Sequence, residues 1–157
     1  MPKIHPFLWF DSEAEAAMNF YVSVFPNSRV LGCSRYGEGG PGPAGTVMTA
    51  DFELDGLRVT ALNGGPIFKF SEAVSMVIDC ADQAEVDYYW EKLLADGGQP
   101  SQCGWLKDRF GFSWQVVPKQ LFETIGGPDR EGAKRALAAM MKMIKLDVAA
   151  LQAAYAG

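Results

Sequence analysis

The chain has 157 residues, of which 48% are hydrophobic and 12% aromatic, and its formal net charge at pH 7 is −5. This length and composition predict one folded domain with a buried core. The acidic balance argues against a nucleic-acid partner, and no apolar run approaches the roughly 20 residues that a membrane-spanning helix needs. Because the chain opens directly into a strand pattern without a signal peptide, we expect a cytoplasmic protein.

Three cysteines, Cys33, Cys80 and Cys103, are widely spaced and form no C-x-x-C pair. An odd number without motif spacing predicts reduced thiols rather than a disulfide framework or a zinc site. Cys103 adjoins an aromatic and charged segment at residues 104–118, so a reactive thiol there remains an alternative. The sequence offers it no neighbouring base, because the one histidine is His5.

The first half of the chain has the pattern of a strand, a helix and three further strands. Residues 4–10 form an apolar run of strand length. Ser12 and Glu15 have capping-box spacing ahead of a helical apolar stripe. A Gly- and Pro-rich loop at residues 37–43 precedes a hairpin whose turn is Asp55-Gly56. The three further strands are predicted at residues 30–36, 46–54 and 57–62.

The same order of elements returns in the second half. A strand at residues 75–80 precedes Asp82 and Glu85, which again have capping-box spacing, and a helical stripe follows at residues 86–94. A second turn, at residues 108–111, takes the place of the first hairpin turn. Three short strands are predicted at residues 100–103, 104–107 and 113–117. A strand, a capped helix and a hairpin occurring twice in one order indicate an internal repeat.

The sequence therefore predicts an α+β fold made of two βαβββ repeats, at about residues 3–64 and 71–118, within a single domain spanning residues 1–157. A helix covers one face of each sheet, so we expect the two bare faces to form a cupped mixed sheet around a cavity. Residues 119–156 are predicted as a C-terminal helical extension. This extension packs either on its own domain or in a dimer contact, and its Met-rich composition suits both.

Three helices are predicted in the extension. The first spans residues 119–125, the second begins at Pro128-Asp129, and Asp147 caps the third. One face of the second helix collects apolar residues at helical spacing: Ala133, Leu137, Met140, Met141 and Ile144.

Strand residues of the two repeats are the candidates for lining the cavity, because ligand pockets combine apolar walls with a few polar anchors. The predicted binding residues are Phe7, Trp9, Tyr36, Asn63, Cys103, Trp105, Lys107, Trp114 and Gln115. For Trp114 the helix side of the sheet is the alternative, since strand alternation places Ser113 and Gln115 opposite it. The charges at residues 107–109 either form the rim of the cavity or belong to a solvated turn.

His5 is the candidate catalytic residue. Histidine commonly serves as general acid or base near neutral pH, and Gln115 or Asn63 could orient a substrate oxygen beside it. An enzyme and a binding protein both remain open, and a third possibility is an interaction module with a vestigial cavity.

The chain resembles a known family at the opening residues 6–10, at Phe20-Tyr21 with Phe25-Pro26, and at the segments 105–111 and 114–118. These features are similar to PhnB-like proteins of the glyoxalase/bleomycin-resistance/extradiol-dioxygenase superfamily, also called vicinal oxygen chelate proteins. The branch in question carries the label 3-demethylubiquinone-9 3-methyltransferase. The resemblance runs essentially end to end, including residues 141–147, and implies the two-repeat fold and a homodimer.

Metal-dependent members of that superfamily bind a divalent ion, and the resemblance places the ligand positions at His5, Thr60, Ser75 and Gln115. Hydroxyl groups are poor neutral ligands and the set contains no carboxylate, so we expect no bound metal. A divalent metal, if present, would use His5 and Gln115. The glycine clusters do not form a G-x-G-x-x-G turn that opens a helix, so no methyl-donor cofactor is predicted either.

These observations predict metal-independent binding of a small organic molecule, with aromatic compounds as candidates. The alternative is an enzyme of the vicinal oxygen chelate type that acts on a small aromatic or quinone-like substrate, through a metal or through His5 acid–base chemistry.

Overall fold

The computed structural model describes residues 2–157. The chain divides into two compact units, of which the first ends at Phe70 and the second runs from Ser71 to Gly157. Each unit holds a four-stranded mixed sheet. The predicted α+β class and the two βαβββ units are therefore confirmed. The single domain and the cup made of two bare sheet faces stay predictions.

The first unit follows the predicted order of elements. They are β1 (Phe7–Phe10), α1 (Ala14–Val24), β2 (Arg29–Arg35), β3 (Val47–Leu54) and β4 (Leu57–Asn63). The sheet order is β1-β4-β3-β2, with β1 parallel to β4 and the other neighbours antiparallel. Helix α1 covers the face on which Phe52 and Val59 are fully buried. Because side chains alternate along a strand, Asp51 and Thr60 lie on the open face.

The start of α1 differs from the sequence-based expectation. The predicted capping box of Ser12 and Glu15 is wrong, because the N-cap residue is Glu13 and no side chain of the cap accepts a helix N–H. The backbone N–H of Ala14 instead donates to the side-chain oxygen of Asn63 at 2.8 Å. Asn63 is opposite Phe10 in the β1–β4 register, so the sheet itself brings a polar side chain to the helix start.

The β3–β4 hairpin confirms the Asp55-Gly56 turn. Both residues have positive φ, at 49° and 83°. This left-handed pair matches the right-handed twist of the flanking strands, which is why Asp-Gly is favoured there.

The second unit repeats the pattern with shorter strands. Its elements are β5 (Ser75–Cys80), α2 (Gln83–Leu94), β6 (Gln99–Pro100), β7 (Trp105–Lys107) and β8 (Ser113–Pro118), with sheet order β5-β8-β7-β6. The predicted cap of α2 is confirmed, because Asp82 accepts from the N–H of Glu85 at 3.0 Å. Glu85 reaches back to the N–H of Ala81 at 2.9 Å.

Asp108 organises the β7–β8 turn from inside the unit. Its side chain is 2% exposed, so it is neither a rim charge nor part of a solvated turn. One carboxylate oxygen accepts the N–H groups of Phe110 and Phe112 at 2.9 and 3.1 Å. The other accepts the indole N–H of Trp114 at 2.9 Å. Burial of a carboxylate is tolerated here because three donors replace its water.

The C-terminal extension packs on the second unit. It consists of α3 (Lys119–Ile125), α4 (Arg130–Met140) and α5 (Val148–Ala156). A buried cluster joins it to β8: Val117, Leu121, Leu146 and Leu151. Asp147 caps α5 as predicted, accepting the N–H of Ala150 at 2.9 Å. Packing on its own unit is thus observed, and a dimer contact stays a prediction.

The apolar face predicted for α4 packs only in part: Met140 packs against the buried cluster, and Met141 and Ile144 lie beyond the end of the helix. Leu137, Met141 and Ile144 are about half exposed or more, whereas Gly132 and Ala136 are buried. A Cβ atom at Gly132 would lie 2.6 Å from the backbone oxygen of Tyr155 in α5. Close approach of α4 and α5 therefore requires a small residue at position 132, and Leu137 is turned away from this contact.

The buried carboxylate of Asp108 yields a stability prediction. An Asp108→Asn protein has one acceptor oxygen for three N–H donors, so at least one donor faces the new amide N–H2 whichever way the side chain turns. We expect the free energy of unfolding to fall by about 2–3 kcal/mol, measured by urea denaturation.

A matched control is Asp79→Asn, which changes an exposed aspartate of β5 and should shift the free energy of unfolding by less than about 0.5 kcal/mol. In the double variant Asp108→Asn, Trp114→Phe the free energy of unfolding should fall by less than the sum of the two single changes. The reason is that the double variant has no indole N–H left without an acceptor. Equal stability of the Asp108→Asn and Asp79→Asn proteins would contradict the assigned role.

Candidate functional site

The first unit contains an open cleft of about 940 Å³ at the end of its sheet. Three of the predicted binding residues line it together: Trp9 from β1, Tyr36 directly after β2, and Asn63 at the end of β4. The loop formed by residues 37–45 contributes Pro41, Gly42, Pro43 and Gly45 to the same cleft.

Trp9 is fixed against the backbone that follows β4. Its indole N–H donates to the carbonyl of Gly65 at 2.9 Å. A Cβ atom at Gly64 would lie 2.3 Å from the indole ring, so only glycine permits this packing. Phe68 meets the ring edge-on, with 4.9 Å between ring centroids. The tryptophan is therefore held in one orientation at the cleft wall.

Tyr36 is held in a similar way by the loop at residues 37–45. Its hydroxyl donates to the backbone carbonyl of Asn63. A Cβ atom at Gly42 would lie 2.5 Å from the phenol ring, which shows how closely the loop covers it. The loop closes on itself where the N–H of Gly45 donates to the carbonyl of Tyr36 at 2.8 Å. The phenol is thus anchored at its tip and covered on one side.

Five polar residues at the cleft were not predicted as site residues: Asp11, Ser12, Glu15, Arg35 and Thr46. The available signal in the sequence was the polar triplet Asp11-Ser12-Glu13 directly after an apolar strand. Ser12 and Glu15 were assigned to helix capping, but the helix is capped by Asn63 instead. Their side chains are consequently left at the cleft.

His5 does not line the cleft, but it belongs to a hydrogen-bonded chain on the open face of the first sheet. The Thr60 hydroxyl donates to a carboxylate oxygen of Asp51 at 2.5 Å. The Thr60 hydroxyl has one hydrogen and gives it to Asp51. The Thr60 oxygen therefore accepts a hydrogen bond from Nε2 of His5 at 3.1 Å. The proton of the neutral ring is thereby placed on Nε2. Arg58 also pairs with Asp51, at 3.2 Å.

Trp105 and Lys107 line a smaller recess of about 270 Å³ in the second unit. The ammonium group of Lys107 pairs with Glu72, and this contact lowers the pKa of the Glu72 carboxyl. Gln115 lies on the same sheet face and donates to the hydroxyl of Ser75 at 2.9 Å. The recess therefore brings together two of the predicted residues, Trp105 and Lys107. The positive charge of Lys107 is partly neutralised by Glu72.

Phe7, Trp114 and Cys103 line none of these cavities. Phe7 is 55% exposed. Trp114 is buried on the helix side of its sheet, which is the alternative that strand alternation left open. Cys103 has a left-handed backbone, and its N–H donates to the carbonyl of Met143 in the extension at 2.8 Å.

All three cysteines are free thiols. Burial raises the pKa of the Cys80 thiol to about 12, and the nearby Glu85 carboxylate acts in the same direction. Burial also raises the pKa of Cys33. Because the thiolate is the nucleophile, neither residue has the environment of an activated cysteine.

The residues at the metal positions implied by the resemblance do not fit a divalent-ion site. The set consists of one imidazole, two hydroxyls and one amide, which lacks the three firm ligands of a catalytic site. In addition, His5 is bonded to Thr60, and Gln115 to Ser75. Residues 2–157 contain no group of three or more His, Cys, Asp or Glu that could hold a metal.

None of the helices within residues 2–157 has the length and apolar character needed to cross a membrane.

A family model described as 3-demethylubiquinone-9 3-methyltransferase matches residues 2–117. Among solved structures, the PhnB protein from Bacillus cereus is 37% identical, with a TM-score of 0.68, and the match covers 74% of this chain and 99% of that chain. No curated protein matches the sequence.

Two more distant structures share the fold alone. Protein PA1353 from Pseudomonas aeruginosa is 20% identical, with a TM-score of 0.62 and coverage of 75% of this chain and 98% of that chain. FosX, a fosfomycin resistance protein from Listeria monocytogenes complexed with Mn(II) and sulfate, is 16% identical, with a TM-score of 0.54 and coverage of 80% and 98%.

The family match ends one residue before the end of β8. The resemblance expected for residues 141–147 lies outside it, so the C-terminal extension is an addition to the matched region. The matched region itself contains both βαβββ units and the cleft. The chain therefore belongs to the family described as 3-demethylubiquinone-9 3-methyltransferase, and is a PhnB-like protein of the glyoxalase/bleomycin-resistance superfamily.

Proposed function

We propose that this protein binds a small organic molecule in the cleft of its first unit. The observation that carries the proposal is the convergence of Trp9, Tyr36 and Asn63 on one cavity. Its volume of about 940 Å³ is comparable to the roughly 300–1,000 Å³ of small-molecule pockets in general.

The cleft offers a ligand apolar walls with fixed geometry. The polar tips of Trp9 and Tyr36 are both bonded to backbone carbonyls of the same unit. The side-chain amide of Asn63 is also engaged, since it accepts from Ala14 and donates to the carbonyl of Val47 at 3.1 Å. Preorganised walls reduce the entropy lost on binding, which favours affinity for a rigid molecule.

The family description names methyl transfer, and the local backbone gives no support for a bound methyl donor. The turn between β1 and α1 is Asp11-Ser12-Glu13 and contains no glycine. A nucleotide-like donor is commonly held by a glycine-rich turn between a strand and a helix. We therefore propose binding that is independent of such a donor.

The cleft can be tested with the neutral aromatic probe 2-naphthylmethanol, followed by isothermal titration calorimetry. We expect binding to the native protein and a loss of at least about ten-fold in affinity for Gly64→Ala, because the added methyl group collides with the Trp9 ring and must displace it. Gly37→Ala is the matched control, since a Cβ atom there has no neighbour within 4 Å. Undetectable binding to the native protein, or equal affinity of the two variants, would contradict the assigned cleft.

Native mass spectrometry of protein purified without chelators tests the remaining expectations together. From the resemblance we propose a homodimer, and from the donor set we propose that it carries no stoichiometric divalent ion. A retained organic mass would support the binding function and indicate its ligand class. One divalent ion per chain would overturn the metal-free assignment and direct mutagenesis to His5 and Gln115.

A second candidate function is catalysis by His5 on a small aromatic or quinone-like substrate. The observation that favours it is the chain from His5 through Thr60 to Asp51, which fixes the tautomer of the imidazole and orients its ring. Fixed orientation of a histidine by a second polar group is a feature of general acid–base sites.

This alternative is tested by incubating the protein with 1,4-naphthoquinone and catechol and following products by mass spectrometry. Catalysis by His5 predicts product formation that is lost in His5→Ala and reduced in Thr60→Val, with far-ultraviolet circular dichroism unchanged. Thr49→Val is the matched control, because Thr49 is bonded to Ser34 and stands outside the chain. Turnover that survives His5→Ala would exclude His5 as the catalytic group.

A further inference from the structure

The charged residues around the cleft indicate which organic molecules it accepts. We propose that the cleft of the first unit selects a flat aromatic molecule that carries a positive charge, such as a primary amine. This inference rests on the proposed binding function and adds the charge of the ligand to it.

The aromatic walls are suited to a cation. The indole N–H of Trp9 and the hydroxyl of Tyr36 both donate hydrogen bonds to backbone carbonyls. A ligand therefore contacts the aromatic rings rather than these polar groups. The face of an aromatic ring carries negative potential and attracts ammonium and guanidinium groups. A flat aromatic body can additionally stack on the rings or meet them edge-on.

Two carboxylates line the same cleft. Asp11 and Glu15 line the cleft and are exposed. Within residues 2–157 neither side chain takes part in a hydrogen bond or an ion pair, which leaves both available to a ligand. Glu15 lies in the first turn of α1.

The cation at the cleft is already engaged. Arg35 lines the cleft, and one of its terminal nitrogens donates to the carbonyl of Gly45 at 3.0 Å. This bond anchors the guanidinium to the loop at residues 37–45 and reduces the donors it can offer to an anion. Two unpaired carboxylates and one tethered guanidinium leave an excess of negative charge at the cleft, which favours a cationic ligand over an anionic one.

The inference is tested with three naphthalene probes of similar size: 2-naphthylmethylamine, 2-naphthylmethanol and 2-naphthoate, which are respectively cationic, neutral and anionic at pH 7. We expect the amine to bind about five-fold or more tightly than the alcohol, the size of one cation contact at a partly exposed site, and the carboxylate to bind weakest. Added salt should narrow the difference between amine and alcohol, because exposed charges are screened. Affinities are measured by isothermal titration calorimetry.

Matched variants assign the preference to individual carboxylates. Asp11→Asn and Glu15→Gln should each lower the affinity for the amine by about two- to five-fold relative to the affinity for the alcohol, as expected for a single exposed charge contact. Glu13→Gln removes a neighbouring charge that does not line the cleft and should leave the preference intact.

The outcomes separate this inference from the function on which it rests. Equal or tighter binding of the alcohol or of the carboxylate would overturn the cationic selectivity and leave a binding cleft. An amine preference that is undiminished in both carboxylate variants would likewise overturn it. Binding of none of the three probes to the folded protein would overturn the proposed function itself, and the charge preference with it.

Discussion

The cleft depends on Asn63, the residue at which β4 ends. Its side-chain oxygen caps α1 through Ala14, and its side-chain N–H2 donates to the carbonyl of Val47 at the start of β3. Its backbone carbonyl accepts the hydroxyl of Tyr36. One residue therefore fixes the helix start, two strands and one aromatic wall. The next residue is Gly64, whose lack of a side chain leaves room for the Trp9 ring. The end of β4 therefore positions both aromatic walls, Trp9 and Tyr36.

The two units use the same element order but stabilise their polar groups differently. In the first unit Asp51 lies on the open face of the sheet, bonded to Thr60 and Arg58. In the second unit Asp108 is buried and binds two backbone N–H groups and the Trp114 indole. The buried carboxylate serves the turn, whereas the partly exposed one completes a chain that ends at His5. Equivalent topology thus leaves room for different chemistry in each unit.

The sequence predicted the fold well because local signals and tertiary structure agree at most positions. The Asp55-Gly56 turn and the Asp82 cap of α2 depend on residues close in sequence, and both were found as expected. The cap of α1 and the packing face of α4 depend on partners that are distant in sequence. Asn63 displaces the local cap, and Tyr155 packs against Gly132, a position that the predicted apolar stripe does not include.

The same distinction explains how much of the candidate site was predicted. Trp9, Tyr36 and Asn63 were predicted from their residue types and strand positions, because ligand pockets combine aromatic walls with a few polar groups. Asp11 and Glu15 were missed, since their sequence context matches a helix start and their freedom follows only from the distant cap. The four residues at the implied metal positions form two hydrogen-bonded pairs. His5 pairs with Thr60 in the first unit, and Gln115 with Ser75 in the second. Chemistry for this chain therefore has to be sought first at the cleft, where Trp9 and Tyr36 are held in place and two carboxylates have no partner within residues 2–157.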